Sequence, residues 1–144
     1  IATANSPTTA ITNMGVGVNI FQWTVNNGPC TAPGNSAQVT IQVFDAATPV
    51  ANAGPDQSLC TPITSTTLAG SQVIAPATGH WTLVGGTGVF ADANQANTAV
   101  TGLSLGPNTF AWHVDNGPCS PPTTDQVVIS VFNGNAQQAN AGAD

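Results

Sequence analysis

Among its 144 residues the chain has no lysine, arginine, glutamate or tyrosine. Without a cation the surface cannot neutralise phosphates, which excludes nucleic-acid binding and attraction to anionic lipid. Without lysine, no intramolecular Lys–Asn isopeptide bond can form, so a disulfide is the one covalent clamp available. No apolar run reaches the ~18 residues needed to cross a bilayer, and no signal peptide is visible. Trypsin has nothing to cut even in the unfolded chain. Tryptic mass spectrometry is therefore expected to return no peptide ending inside this stretch, and recovery of one would contradict the sequence itself.

The charge that remains is six aspartates, Asp45, Asp56, Asp92, Asp115, Asp125 and Asp144. Spread thinly, they limit self-repulsion, and Thr, Asn, Gln and Ser take over the solubilising role. Low charge alone is compatible with disorder, but a 41% hydrophobic content in regular alternation argues for folded sheets. Val39, Ile41 and Val43 alternate with Thr40, Gln42 and Phe44, and Val127, Ile129 and Val131 with Val128, Ser130 and Phe132. Phe110, Trp112 and Val114 face one way and Ala111, His113 and Asp115 the other, a pattern that Phe21, Trp23 and Val25 repeat. Further strands are predicted near 57–60, 65–70, 79–84, 87–90 and 97–103, between turns such as GGTG (85–88) and NGP (116–118). No stretch sustains a helical period. About seven short strands with Trp81 near their middle describe an all-β, immunoglobulin-like sandwich. Its core is expected to include Phe21, Trp23, Trp81, Phe110 and Trp112.

One segment occurs twice. FQWTVNNGPC (21–30) returns as FAWHVDNGPC (110–119), AQVTIQVF (37–44) as DQVVISVF (125–132), and ANAGPD (51–56) as ANAGAD (139–144). The period is about 88 residues, well above the roughly 20–50 residues of units that stack into solenoids, so each repeat is expected to bury its own core. The phase predicts the C-terminal part of one repeat at 1–45, a complete repeat at 46–133, and a linker with the first residues of another at 134–144. Both ends of the chain then fall inside a repeat, and the absence of a signal peptide says nothing about export. The connection DAATPVANAG (45–54) contains Pro49 and little Gly-Ser padding, which predicts semi-rigid coupling between neighbouring repeats.

Cys30 and Cys119 are repeat equivalents, and the equivalent of Cys60 falls before Ile1. Each repeat thus owns two cysteines. The simplest reading is a Cys60–Cys119 disulfide with Cys30 left unpaired; the alternative is two buried free thiols, and zinc fails for want of a CxxC pair or clustered histidines.

ANAGPDQ (51–57) followed by TTLAGS (66–71) resembles the opening of PKD-type immunoglobulin-like domains. The wider pattern, ANAGPDQSLC…TLAGS…HWTLVGGTG…TAVTGLSLGPNTFAWHVDNGPC…DQVVISV, is similar to repeats of very large Bacteroidetes cell-surface adhesins, above all the mobile gliding-motility adhesins exported by the type IX system. The resemblance implies a secreted, surface-attached fibre of many such domains. Where many PKD-type domains carry a WDFGDG-like strand, this chain has HWTLVGGTG (80–88), so properties tied to that acidic segment are not carried over.

Little chemistry competes with that reading. His80 and His113 are the only general-base candidates, and Thr24 replaces His113 in the other copy, so no catalytic residue is assigned and no enzymatic role is expected. Asp45, Asp56 and Asp144 lie in or near connecting segments, where calcium is the one cofactor left open. But Asp45 matches Asn133 and Asp115 matches Asn26, so turn acids are the better reading. Trp23, Trp81 and Trp112 as a carbohydrate platform is the weaker alternative to core packing. Three roles remain: a stalk whose partners are neighbouring repeats, repeats that themselves bind surface polysaccharide, and a filament subunit completed by strands of neighbouring chains. The stalk is favoured, since no ligand site converges.

Overall fold

The computed structural model describes residues 1–29, 35–48, 50–135 and 142. Nine strands account for its regular structure: β1 (Gly17–Thr24), β2 (Ser36–Val43), β3 (Gln57–Cys60), β4 (Ser65–Ala69), β5 (Thr78–Gly85), β6 (Val89–Phe90), β7 (Asn97–Thr101), β8 (Gly106–Asp115) and β9 (Thr123–Phe132). One three-residue 3-10 turn, Gly117–Cys119, joins the last two. Strands β3 to β9 make a sandwich of two sheets, ordered β3-β9-β8-β5 and β4-β7-β6. Most neighbours are antiparallel, while β3 runs parallel to β9, with Gln57 opposite Ile129 and Cys60 opposite Phe132.

The alternation along β8 decides what is inside. Phe110 and Trp112 are fully buried and Val114 nearly so, and they meet Val127, Ile129 and Val131 of β9, Trp81 of β5, Leu68 of β4 and Val100 of β7. Trp81 and Trp112 are cross-strand partners with ring centroids 5.0 Å apart, and Phe90 meets Phe110 edge-on across the two sheets at 5.5 Å. Two glycines make room for the larger ring: a Cβ on Gly70 would approach Trp112 to 3.0 Å, and one on Gly79 would overlap it.

Strands β1 and β2 form a separate two-stranded sheet. It has the geometry of the β8–β9 hairpin: Gly17 lies opposite Val43 as Gly106 lies opposite Val131, and Trp23 opposite Ala37 as Trp112 lies opposite Asp125. Backbone conformation follows, with φ of 61° at Gly28 and 56° at Gly117, and 79° at Gly54 and 84° at Gly142. The duplicated sequence is thus a duplicated structure in these segments. No helix among the described residues is long and apolar enough to cross a membrane.

The two hairpins differ in what covers them. The described residues hold one set of β3–β7 and two hairpins, and the face that β8 buries is open on β1. This corrects the expectation for two core residues: Trp23 is 38% exposed and Phe21 only half-buried, against full burial of their counterparts Trp112 and Phe110. On the opposite face of β1, Val18 and Ile20 are exposed as well.

Candidate functional site

The two histidines, distant in sequence, come together on the outer face of the four-stranded sheet. His80 and His113 are opposite one another on β5 and β8, and their rings stack at 4.8 Å. His113 Nε2 shares a hydrogen bond with Thr82 Oγ1 (2.9 Å) and Nδ1 another with Thr124 Oγ1 (2.8 Å). Both ring nitrogens are thereby engaged, tying β5, β8 and β9 together. That is a cross-strand lock, not a free base beside a nucleophile. Among the described residues no group of three or more His, Cys, Asp or Glu side chains stands where it could hold a metal ion.

Each described aspartate accepts a backbone N–H. Asp45 takes Ala47 N, Asp92 takes Asn94 N and Asp115 takes Gly117 N, at 2.8 to 2.9 Å and two residues on, which are Asx turns. Asp56 and Asp125 instead work at long range, accepting from Val128 N and Ala53 N at 2.8 Å. Together with Thr123 Oγ1, which accepts from Ala51 N at 2.8 Å, they fasten the lead-in to the sandwich along β9. Asp144 lies outside the described residues.

Of the three tryptophans, Trp81 and Trp112 are buried, and their indole N–H groups donate to backbone carbonyls, Trp81 to Gln95 and Ala96, Trp112 to Ser71. Neither offers a face to a sugar. Trp23 does, at the edge of a groove of about 410 Å³ between the first residues of the chain and the β1–β2 sheet, lined by Ile1, Pro7, Ile11, Phe21 and Val39. The equivalent surface on β8 is sandwich core.

The first hairpin meets the sandwich through residues that lie outside the strands. The ring of Phe44 packs on Gly117, where an added Cβ would stand 2.6 Å from its Cζ. The buried Asn116 donates from Nδ2 to Asp45 O (2.9 Å), and Thr48 N donates to the same carbonyl (3.1 Å). Asn116 Oδ1 and Thr48 Oγ1 are buried there without a protein partner. Beyond Val50 the lead-in is again held down: Ser71 Oγ donates to Val50 O and accepts from Asn52 N, and Ser71 N donates to Asn52 O. Pro49 lies outside the described residues.

The cysteine pairing is corrected. Cys60 and Cys119 are both free and both exposed. Cys60 is opposite Phe132 at the end of β9, and Cys119 precedes Thr123 at its beginning. The ten residues of β9, at ~3.3 Å each, put them roughly 30 Å apart, several times the reach of a disulfide. Membership of one repeat does not decide which pole of a sandwich a residue occupies. Cys30 lies outside the described residues.

The sandwich was compared with known proteins. No protein-family model matches the chain, and no curated protein matches it. Among solved structures, the PKD domain of KIAA 1837 protein is similar over 62% of this chain and 92% of its own, with 27% identity and a TM-score of 0.52. The PKD domain of human KIAA0319 (329–428) is similar over 64% and 88%, with 15% identity and a TM-score of 0.51. The fold is a PKD-like, immunoglobulin-like sandwich. An endo-fucoidan hydrolase of glycoside hydrolase family 107 aligns at a TM-score of 0.37 over 19% of its length, too slight a likeness to bear on chemistry.

HWTLVGGTG forms most of β5 and the turn after it, and it carries no carboxylate. The residue that sequence reasoning missed is Asn108, buried inside β8. Its Oδ1 accepts from Thr87 N, Ser104 N and Ser104 Oγ, and its Nδ2 donates to the carbonyls of Ser104, Gly106 and Ile129. The signal was present: Asn19 holds the same place in the other copy and donates to Gly15 and Gly17. Asn116 belongs to the NGP turn, and nothing local marks it as a buried donor to Asp45 O.

Proposed function

We propose that the chain is a non-catalytic, extracellular repeat segment of a large bacterial surface adhesin or filament, acting as a stalk in attachment or gliding. The observation that supports this most is the junction. Phe44 on Gly117 and Asp45 O on Asn116 Nδ2 dock one repeat's end against the next repeat's hairpin, and the lead-in from Val50 to Ala53 is bolted to the sandwich. Only about five residues, 45–49, remain between the two bodies, so successive repeats add length with restricted bending. The chain's own groups support the absence of catalysis and of an obligatory metal: both His113 nitrogens and every described carboxylate already serve the scaffold. The gliding and type IX assignment rests on sequence resemblance.

The test removes whole 88-residue periods in frame from the native gene and measures fibre length by electron microscopy and attachment strength per fibre. A stalk requires length to fall in steps while attachment per fibre stays nearly constant. Attachment that falls in proportion to repeat number would make the repeats the adhesive element, with surface glycan as their ligand.

A further inference from the structure

We infer that consecutive repeats are cross-linked by a disulfide between the Cys60 position of one repeat and the Cys119 position of the next. The inference rests on the tandem reading above and on contacts within this chain. Phe44 and Phe132 are equivalent, one period apart. Cys60 is the register partner of Phe132 on the parallel strand β3, and Thr61 N donates to Phe132 O (2.9 Å). In the preceding repeat the counterpart of Cys60 therefore stands beside Phe44. Phe44 in turn packs on Gly117, two residues before Cys119, whose N–H donates to Asn116 O (3.2 Å). The two cysteine positions flank the same junction.

Side-chain direction agrees. Register partners on parallel strands project to the same face of a sheet, so the thiol at the Cys60 position and the ring at the Phe132 position share a face. At the first junction that ring, Phe44, lies against the next repeat's hairpin and is half-buried, whereas the ring of Phe132 is 56% exposed. Cys60 and Cys119 are both exposed, and they lie at opposite poles of the sandwich.

The chemistry balances with an external disulfide as oxidant. One protein thiolate attacks it, releasing one small thiol and leaving a mixed disulfide; the second protein thiolate displaces the other small thiol. One S–S bond forms between repeats, two protein thiols lose two protons and two electrons, and the oxidant leaves as two thiols.

The experiment appends residues 57–144 once more after Asp144, so that the whole chain is followed by one further period with native spacing. The purified protein is equilibrated with oxidised and reduced glutathione, and free thiols are counted by alkylation and intact mass. The expected result is one disulfide and three free thiols among five cysteines. Cys60→Ser in the original copy abolishes the bond; Cys119→Ser in the original copy leaves it in place. Both side chains are exposed, so the variants retain the fold, which far-UV circular dichroism checks. A bond lost in both variants is an intra-repeat pair and overturns the inference, as do five free thiols or a bond that survives Cys60→Ser. The intact mass of the native polypeptide separately reads whether it is a tandem array, so failure of the cross-link and failure of the array are distinguishable.

Discussion

Replacing Trp112 with alanine is expected to lower the unfolding free energy by about 3–5 kcal/mol, enough to unfold many single domains. Trp112 is fully buried with its ring tilted against Trp81, and Gly70 and Gly79 leave room for it. Backbone lined by glycine cannot repack to fill the space a removed indole leaves, so the cavity persists. The lost ring also orphans Ser71 O, which accepts its indole N–H. Denaturant unfolding followed by far-UV circular dichroism reads the change as a shift in midpoint. The twin substitution is the control: Trp23→Ala should cost under about 1 kcal/mol, because a side chain already 38% exposed leaves little cavity. Equal losses at the two positions would mean that the first hairpin is covered in solution by a surface the structure does not place on it.

That pair shows where sequence reading stops. Trp23 and Trp112 sit in the same Phe-x-Trp-x-Val alternation, and strand identity, hairpin register and inward face all follow from that local pattern, which both copies share. Burial does not, because it depends on β4, β5 and β7, present once. The strands near 57–60, 65–70, 79–84 and 97–103 were legible for the same local reason, between Gly, Pro and Asn turns. The parallel pairing of β3 with β9 was not, since nothing in QSLC names a partner some 70 residues away. That pairing decides the cysteines: it puts Cys60 at the pole where the chain leaves the sandwich and Cys119 at the pole where it arrives. Counting cysteines per repeat suggests a pair; only topology says that its members lie at opposite poles of the sandwich. The aspartates were easier, because a carboxylate two residues before a free N–H is a local motif, as at Asp45, Asp92 and Asp115.

The second large effect is expected at Asn108, a position whose importance lies in hydrogen bonds alone. The amide of Asn108, itself at 0% exposure, closes the turn Ser104–Gly106, holds the Thr87 N–H in the turn after β5, and reaches Ile129 O on β9. Alanine there removes three acceptor contacts and three donor contacts and supplies nothing in return. A buried donor or acceptor left without a partner costs about 1–3 kcal/mol. Water reaching the half-buried Ser104 and the exposed Thr87 recovers part of this, so the expected net loss for Asn108→Ala is roughly 2–4 kcal/mol. Asn19→Ala breaks only the bonds to Gly15 and Gly17, in a sheet open to water, and should cost under about 1 kcal/mol. Hydrogen exchange locates the effect as well as sizing it: in Asn108→Ala the amides of Thr87 and Ser104 should lose protection more than those of β4 and β7. Uniform loss across the sandwich would show that Asn108 acts by filling volume, and its hydrogen bonds would then not be what holds the β8 turn.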